Sequence, residues 1–309
     1  MSFSSNTKRE LCESAARKCC RKAECYGLFL FGRSFSPAAV SLTTENLAVG
    51  RRAAELAAEA TGAIMDVSSV KIRKKNAAAS YTVSAAGPGQ AKKLFAALGH
   101  SAEEISLRIN LANLENECCR AAFLRGAFLA CGTVASPERD YRLEFAVPHM
   151  NLAAGLATLI GDAPELRLEP RVSRRRGAFV VYMKGGEHVA DFLTLLGASD
   201  AAMELMQVRM LKEVRNKVNR RTNFETANIG KAASAAAHEV VAIERIRARG
   251  KGDALQEDLR ELAALRMRYP ELSLGELGQR LTPPLSRSGV HHRMRRILEF
   301  AEKLKEEQR

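Results

Sequence analysis

The chain has 309 residues, 46% hydrophobic and 27% charged, which suggests two or three domains with packed cores and excludes wholesale disorder. It has no run of ~18 uncharged apolar residues and no apolar stretch after Lys8 to serve as a secretory signal, so its seven cysteines are expected as reduced thiols of a cytoplasmic, non-membrane protein. The formal net charge of +13 favours polyanionic partners.

An internal repeat organises the first two thirds. Cys19–Leu30 and Cys118–Leu129 align at an offset of 99 without a gap, and seven of the fifteen positions from 19 to 33 are identical to their counterparts. After the first copy, Ala38–Thr44 reads as a strand and the Ala-rich Glu45–Thr61 as a helix. Ile64–Arg73 and Ala78–Ala85 read as paired strands around a basic turn, Lys71–Lys75. Gln90–Leu98 is a short helix ended by Gly99. After the second copy, Tyr141–Val147 reads as a strand, Asn151–Ile160 as a helix, and Leu166–Ser173 and Phe179–Met183 as strands around Arg174, Arg175 and Arg176. Glu187–Leu196 is a helix ended by Gly197. Each repeat, about 1–100 and 116–200, therefore predicts a sheet with helices on one face and an open second face. Gly27 and Gly126 lack a Cβ and would let the two motif helices pack closely about a pseudo-two-fold axis.

Leu124–Gly132 resembles the LAGLIDADG motif of homing endonucleases, in which two such helices pack centrally and antiparallel sheets form a saddle over DNA. The resemblance places the family's metal-holding acid at Cys131 and, in the first copy, at Gly32. Neither supplies the hard oxygen that Mg²⁺ prefers, so the resemblance implies the fold without the nuclease chemistry. Adjacent cysteines on a helix are expected to point apart, and zinc motifs space their ligands by two to four. Cys19-Cys20 and Cys118-Cys119 therefore read as small buried apolar residues. No HExxH, no HxE with PCxxC, no nucleophile elbow and no phosphate loop is present. No catalytic residue, metal ligand or cofactor is expected.

Met203–Val218 reads as a basic helix. Asn219–Asn228 is polar and weakly periodic, and reads either as a solvated linker or as a segment whose Arg220 and Arg221 contact phosphates. Ile229–Arg249 reads as an Ala-rich helix broken by Gly250-Lys251-Gly252. From residue 207 onward, Lys and Arg number 22 against 14 Asp and Glu, so the last third is the more basic per residue. Asp253–Tyr269 predicts a helix stopped by Pro270. Ser273 and Glu276 form a capping-box pattern for Leu274–Leu281. After Thr282-Pro283-Pro284, Ser286 caps a last helix over Arg287–Lys305. At about 100° per residue, Val290, Met294, Ile297, Leu298, Ala301 and Leu304 share one face, with Ser288, His292, Arg295, Arg296 and Glu299 opposite.

A short helix, a sharp break and a longer basic amphipathic helix is the helix-turn-helix pattern, whose second helix enters the major groove; a small helical bundle with a charged outer face is the competing reading. Ser2–Ser5, the Cys-Cys-Arg-Lys-Ala copy, Cys118–Gly132, Asn219–Asn228 and Ser286–Arg293 together resemble the WhiA family. The resemblance implies an α+β chain: a LAGLIDADG-like domain without nuclease activity over 1–206, a helical connector over 207–252, and a helix-turn-helix similar to region 4 of sigma factors over 253–309. Arg33, where the second copy has Gly132, departs from the motif. The resemblance also implies a nucleoid-associated regulator of cell division, chromosome segregation and, in some bacteria, sporulation. On this reading the partner is double-stranded DNA. Ser288, His292, Arg295 and Arg296 read bases, and Ser286, Arg287 and Arg293 position phosphates. Ser273 and His291 complete the candidate set, and Arg174, Arg175, Arg176, Arg220 and Arg221 add backbone contacts. Two alternatives stand beside it: an adaptor whose first domain docks a protein, and a residual nuclease recruiting Glu24, Glu117 or Glu144.

Overall fold

The computed structural model describes residues 2–14, 17–70, 79–104, 106–163, 166, 168–175 and 177–306, and it divides into two compact units, Met1–Glu213 and Val214–Arg309. The Lys71–Lys75 turn and Arg176 lie outside the described residues.

The first unit is the repeat made visible. Its first half runs α1 (Phe3–Glu13), α2 (Lys18–Leu30), β1 (Ser34–Phe35), β2 (Val40–Thr44), α3 (Leu47–Thr61), β3 (Met65–Val70), β4 (Ser80–Ala85) and α4 (Pro88–Ala97). The second half runs α5 (Glu117–Cys131), β5 (Gly132–Val134), β6 (Arg142–Val147), α6 (Met150–Gly161), β7 (Arg171–Arg175), β8 (Ala178–Lys184) and α7 (Gly186–Leu196). The two antiparallel sheets have the same order, β1-β2-β4-β3 and β5-β6-β8-β7. The two-residue β1 and three-residue β5 are too short to carry a period in the sequence. The β7 strand starts at Arg171, later than the expected Leu166; Pro170 has no N–H to give a ladder.

The halves meet along α2 and α5. A Cβ on Gly27 would overlap the Phe123 carbonyl oxygen and sit 2.9 Å from the Ala127 nitrogen. One on Gly126 would overlap the Glu24 carbonyl oxygen and sit 2.9 Å from the Leu28 nitrogen. Each obstacle is the other's counterpart at the repeat offset of 99, so the contact is two-fold in its atoms. Tyr26, Leu28, Phe29, Phe123, Phe128 and Phe145 are completely buried around it. The fully buried Glu24 accepts from Arg52 Nε and Nη2 at 3.0 and 3.1 Å and lies 3.6 Å from Arg125 Nε, tying α2 to α3 and α5.

The second unit contains the remainder of α8 (Ser199–Ala248), then α9 (Glu257–Arg268), α10 (Leu274–Gln279) and α11 (Arg287–Glu306). The segment Asn219–Asn228 is helical rather than a linker. No Gly or Pro interrupts the sequence from 199 to 229, and Arg221 pairs with Glu225 one turn on at 2.9 Å. The helix ends where expected, near Gly250 with φ of 65°. Ile243 and Ile246 of α8, Leu259 and Leu262 of α9, Leu277 of α10, and Val290, Met294, Ile297, Ala301 and Leu304 of α11 form one buried core.

The α2–α5 contact gives the first prediction. Gly27→Ala sets a side chain against backbone that cannot swing away, and is expected to destabilise the first unit by about 3 kcal/mol or more. Chemical denaturation followed by circular dichroism checks it; an unchanged midpoint would refute the reciprocal contact.

Candidate nucleic-acid interface

In the second unit, α10 is fixed by its cap. Ser273 Oγ accepts from the Glu276 amide at 3.3 Å, and Glu276 Oε2 accepts from the Ser273 amide at 2.8 Å. These bonds from Ser273 hold the Glu276 carboxyl below its ordinary value of 4.5. The carboxylate's contribution to the cap is therefore fully present above that value and is lost as pH falls through the lowered one, while the Ser273 Oγ bond remains. Ser273 is thus engaged in the cap, as its sequence position predicts. A Cβ on Gly278 would overlap the Leu285 carbonyl oxygen, so the chain turns tightly from α10 into α11. Ser286 Oγ accepts from the Gly289 amide at 3.3 Å and caps α11.

The amphipathic reading of α11 describes the helix well. Its buried stripe is Val290, Met294, Ile297, Ala301 and Leu304. Arg287, Ser288, His291, His292 and Arg295 are exposed along its N-terminal half. The arginines divide into two groups. Arg293 and Arg296 turn toward α9, where Asp258 Oδ2 lies 3.2 Å from Arg293 Nε and 3.9 Å from Arg296 Nη1. Arg296 also donates to Gln256. Arg295 is more than half exposed and reaches Glu299 at 3.5 Å. Arg296, grouped by sequence with the base readers, is thus anchored to the neighbouring helix; helical phase places it near the outer face but does not reveal Asp258. Two cations escaped the sequence reading. The guanidiniums of Arg268 and Arg280 lie 5.4 and 4.4 Å from the ring centroid of Tyr269. Stacking across a fold leaves no periodic signal.

Beneath these helices, Arg266 is buried against Glu239 of α8 with Nε 2.8 Å from Oε2. Arg266 also donates to the Leu272 carbonyl at 2.6 Å, fixing the α9–α10 loop.

The first unit offers a second surface. Along β6, Leu143, Phe145 and Val147 are buried, so Arg142, Glu144 and Ala146 face the other way. The register adds Tyr182 and Lys184 of β8 and Arg171 and Arg175 of β7 to that face. The Arg142 guanidinium lies 4.6 Å from the Tyr182 ring centroid, and Arg175 pairs with Glu144 at 3.8 Å. Arg174 alternates to the opposite face, 5.9 Å from the Phe179 ring centroid. The corresponding face of the first sheet carries Ser41, Thr43, Asp66, Ser68, Thr82 and Ser84. The two halves share a backbone but differ in charge. In α8, Arg220 and Arg221 are exposed.

At the C-terminal ends of the motif helices, Lys8 Nζ donates to the Leu129 carbonyl at 3.0 Å. Burial lowers the Lys8 pKa, while the neighbouring Cys131 pulls it back up. Burial pushes the Cys131 thiol up to about 12. A lysine side chain and a thiol thus occupy the end where the LAGLIDADG resemblance implies a carboxylate. The other acids are dispersed. Glu24 is neutralised in the core, Glu144 is paired with Arg142 at 2.8 Å, and Glu117, opening α5, is about 21 Å along the helix from Cys131.

The matching family profiles are the WhiA LAGLIDADG-like domain, over residues 120–215, and the WhiA C-terminal HTH domain, over 218–301. A protein of Ruminiclostridium cellulolyticum named "Probable cell division protein WhiA" is 36% identical over 311 residues, which span 99% of this chain and 98% of the relative. One of the same name from Desulfitobacterium hafniense is 38% identical over 317 residues, spanning 99% and 98%. The chain belongs to the WhiA family. The crystal structure of full-length DUF199/WhiA from Thermatoga maritima, 22% identical, superposes with a TM-score of 0.59 over 98% of this chain and 99% of that one. The LAGLIDADG-like α+β unit followed by a helical HTH unit is therefore the WhiA arrangement. Among the described residues no helix is long and apolar enough to cross a membrane.

The buried pair under the WhiA HTH helices gives the second prediction. Glu239→Ala strands Arg266 without its counter-charge and is expected to cost the second unit about 3 kcal/mol. Thermal or urea unfolding of the variant measures it, and a change below about 0.5 kcal/mol would show that the pair does not hold α9 to α8.

Proposed function

We propose that this WhiA-family chain is a non-enzymatic, sequence-specific binder of double-stranded DNA that regulates genes of cell division and chromosome segregation in the bacterial cytoplasm, on the nucleoid. The observation that carries the reading is the N-terminal half of α11. There Arg287, Ser288, His291, His292 and Arg295 are exposed while Val290 and Met294 on the reverse face are buried. The helix is capped at the same end, so its positive dipole end adds to the cationic face.

In the proposed complex, Ser288, His292 and Arg295 meet base edges in the major groove. Ser286, Arg287 and His291 meet the flanking backbone. Arg293 and Arg296 set the pitch of α11 through Asp258 of α9, and Ser273 serves the α10 cap. Arg174, Arg175, Arg176, Arg220 and Arg221 supply further phosphate contacts. Cleavage plays no part. A divalent metal at the ends of α2 and α5 would meet Gly32 and Cys131 in place of carboxylates, beside the Lys8 Nζ that donates to Leu129. The hydroxyl-rich face of the first sheet supports a second role for the first unit in docking a protein.

Binding measured by fluorescence anisotropy at several salt concentrations tests the assignment. Arg295→Ala is expected to weaken binding to a selected site by about 1–3 kcal/mol and to relax preference at one base pair. Arg287→Ala is expected to weaken binding evenly across sequences and to lower the salt slope by about 1. A folded Arg295→Ala variant with unchanged affinity and preference would defeat the reading. Supercoiled plasmid incubated with the full chain and Mg²⁺ or Mn²⁺ is expected to remain intact; nicking that stops with chelator would restore the nuclease alternative.

A further inference from the structure

The sequence predicts that the two cysteines of each adjacent pair point apart. The structure brings them together: the Sγ atoms of Cys19, Cys20, Cys118 and Cys119 all lie within 4.8 Å of one another. They are the second and third residues of α2 and α5, and they converge because the helix starts face each other across the pseudo-two-fold contact. Cys20 Sγ lies 3.5 Å from the Cys118 carbonyl oxygen. All four are free thiols. Among the described residues this is the only group of three or more His, Cys, Asp or Glu side chains with metal-binding proximity.

We propose that Cys19, Cys20, Cys118 and Cys119 form a tetrathiolate Zn²⁺ site that fastens the two half-domains together. Zn–S bonds of about 2.3 Å in a tetrahedron set the sulfurs about 3.8 Å apart, so the cluster needs only a small contraction to close on the ion. Two ligands come from each repeat, so the ion bridges the halves. Binding converts Zn²⁺ and four thiols into a Zn(SR)₄ centre of charge −2 and releases four protons; no oxidant or reductant is needed.

The surroundings suit that charge. The centre would sit at the N-terminal ends of two helices, where the macrodipoles are positive. Lys18, Arg21 and Lys22, with Glu59 and Glu115, line the cleft that reaches Cys19 and Cys119; Arg21 pairs with Glu59 at 2.9 Å, and the lining keeps a net positive charge. Asn116 Nδ2, 3.9 Å from Cys119 Sγ, supplies a donor to a ligand sulfur. Cys19 is exposed, which gives the ion a path in. The site lies at the end of the helix pair opposite Gly32 and Cys131, so its role would be structural. Cys12, Cys25 and Cys131 lie outside the cluster.

Full-length protein, purified under mild reductant without chelator, is expected to carry one zinc per chain by elemental analysis. Its cobalt-substituted form should show the intense visible bands of a tetrahedral tetrathiolate. Cys19→Ser is expected to weaken zinc at least tenfold in competition with a chromogenic chelator. A second readout needs no variant: in the wild-type chain, zinc should shield the exposed Cys19 and half-buried Cys118 from alkylation, chelator should release both, and Cys12 should react equally in both. Wild-type protein that takes up neither zinc nor cobalt, zinc binding unchanged in the Cys19→Ser/Cys118→Ser variant, or equal alkylation of Cys19 and Cys118 with and without zinc would each overturn the proposal.

Discussion

At the centre of the first unit two helices touch backbone to backbone. With no Cβ at Gly27 or Gly126, the carbonyl oxygens of Phe123 and Glu24 occupy the space that any larger residue would need. That approach fixes where everything else in the unit can sit. Packing the pair this tightly leaves Tyr26, Phe29, Phe123 and Phe128 as a shared aromatic core between two halves whose sheets have the same strand order. It also creates two special ends. At one, the helix starts bring four sulfurs together; at the other, Lys8 and Cys131 stand where the LAGLIDADG resemblance of the sequence implies a carboxylate.

The repeat preserved this contact more faithfully than it preserved the surfaces. The outward face of the second sheet gathers Arg142, Arg171, Arg175 and Lys184 around Tyr182, whereas that of the first is dressed in hydroxyls. Duplicated backbones with divergent faces are what packing constraints produce: core positions answer to each other across the axis, while exposed positions answer to whatever binds there. The second unit follows a different logic. Its core is small, and the orientation of its helices rests on polar links beneath and beside that core, Glu239 with Arg266 and Asp258 with Arg293. Through these links the exposed residues of α11 are held in a defined direction.

Much of this was legible in the sequence. The offset repeat exposed the pseudo-symmetry because each half must bury the same helix face, and Gly27 and Gly126 stood out because only close approach explains both. Capping chemistry marked the starts of α10 and α11 at Ser273 and Ser286. What escaped were contacts between residues remote in the chain. Asp258 claims Arg296 from a helix remote in the chain, and the sulfurs of Cys19 and Cys118 meet only once the helices pack, so the divergence expected of adjacent cysteines on a helix does not hold. The polar, weakly periodic segment Asn219–Asn228 left a solvated linker open as one of its two readings, because its residues prefer caps and turns. Without a Gly or Pro to stop it, the flanking helix propagates through.

The assignment of α11 to the major groove is tested most directly by methylation interference on a selected duplex with the full-length protein. Methyl groups at guanine N7 lie in the major groove and those at adenine N3 in the minor groove. Interference confined to guanine N7 within the site, with the Arg295→Ala variant losing it at one position, is the predicted outcome. Interference at adenine N3 alone, or at no base, would contradict it.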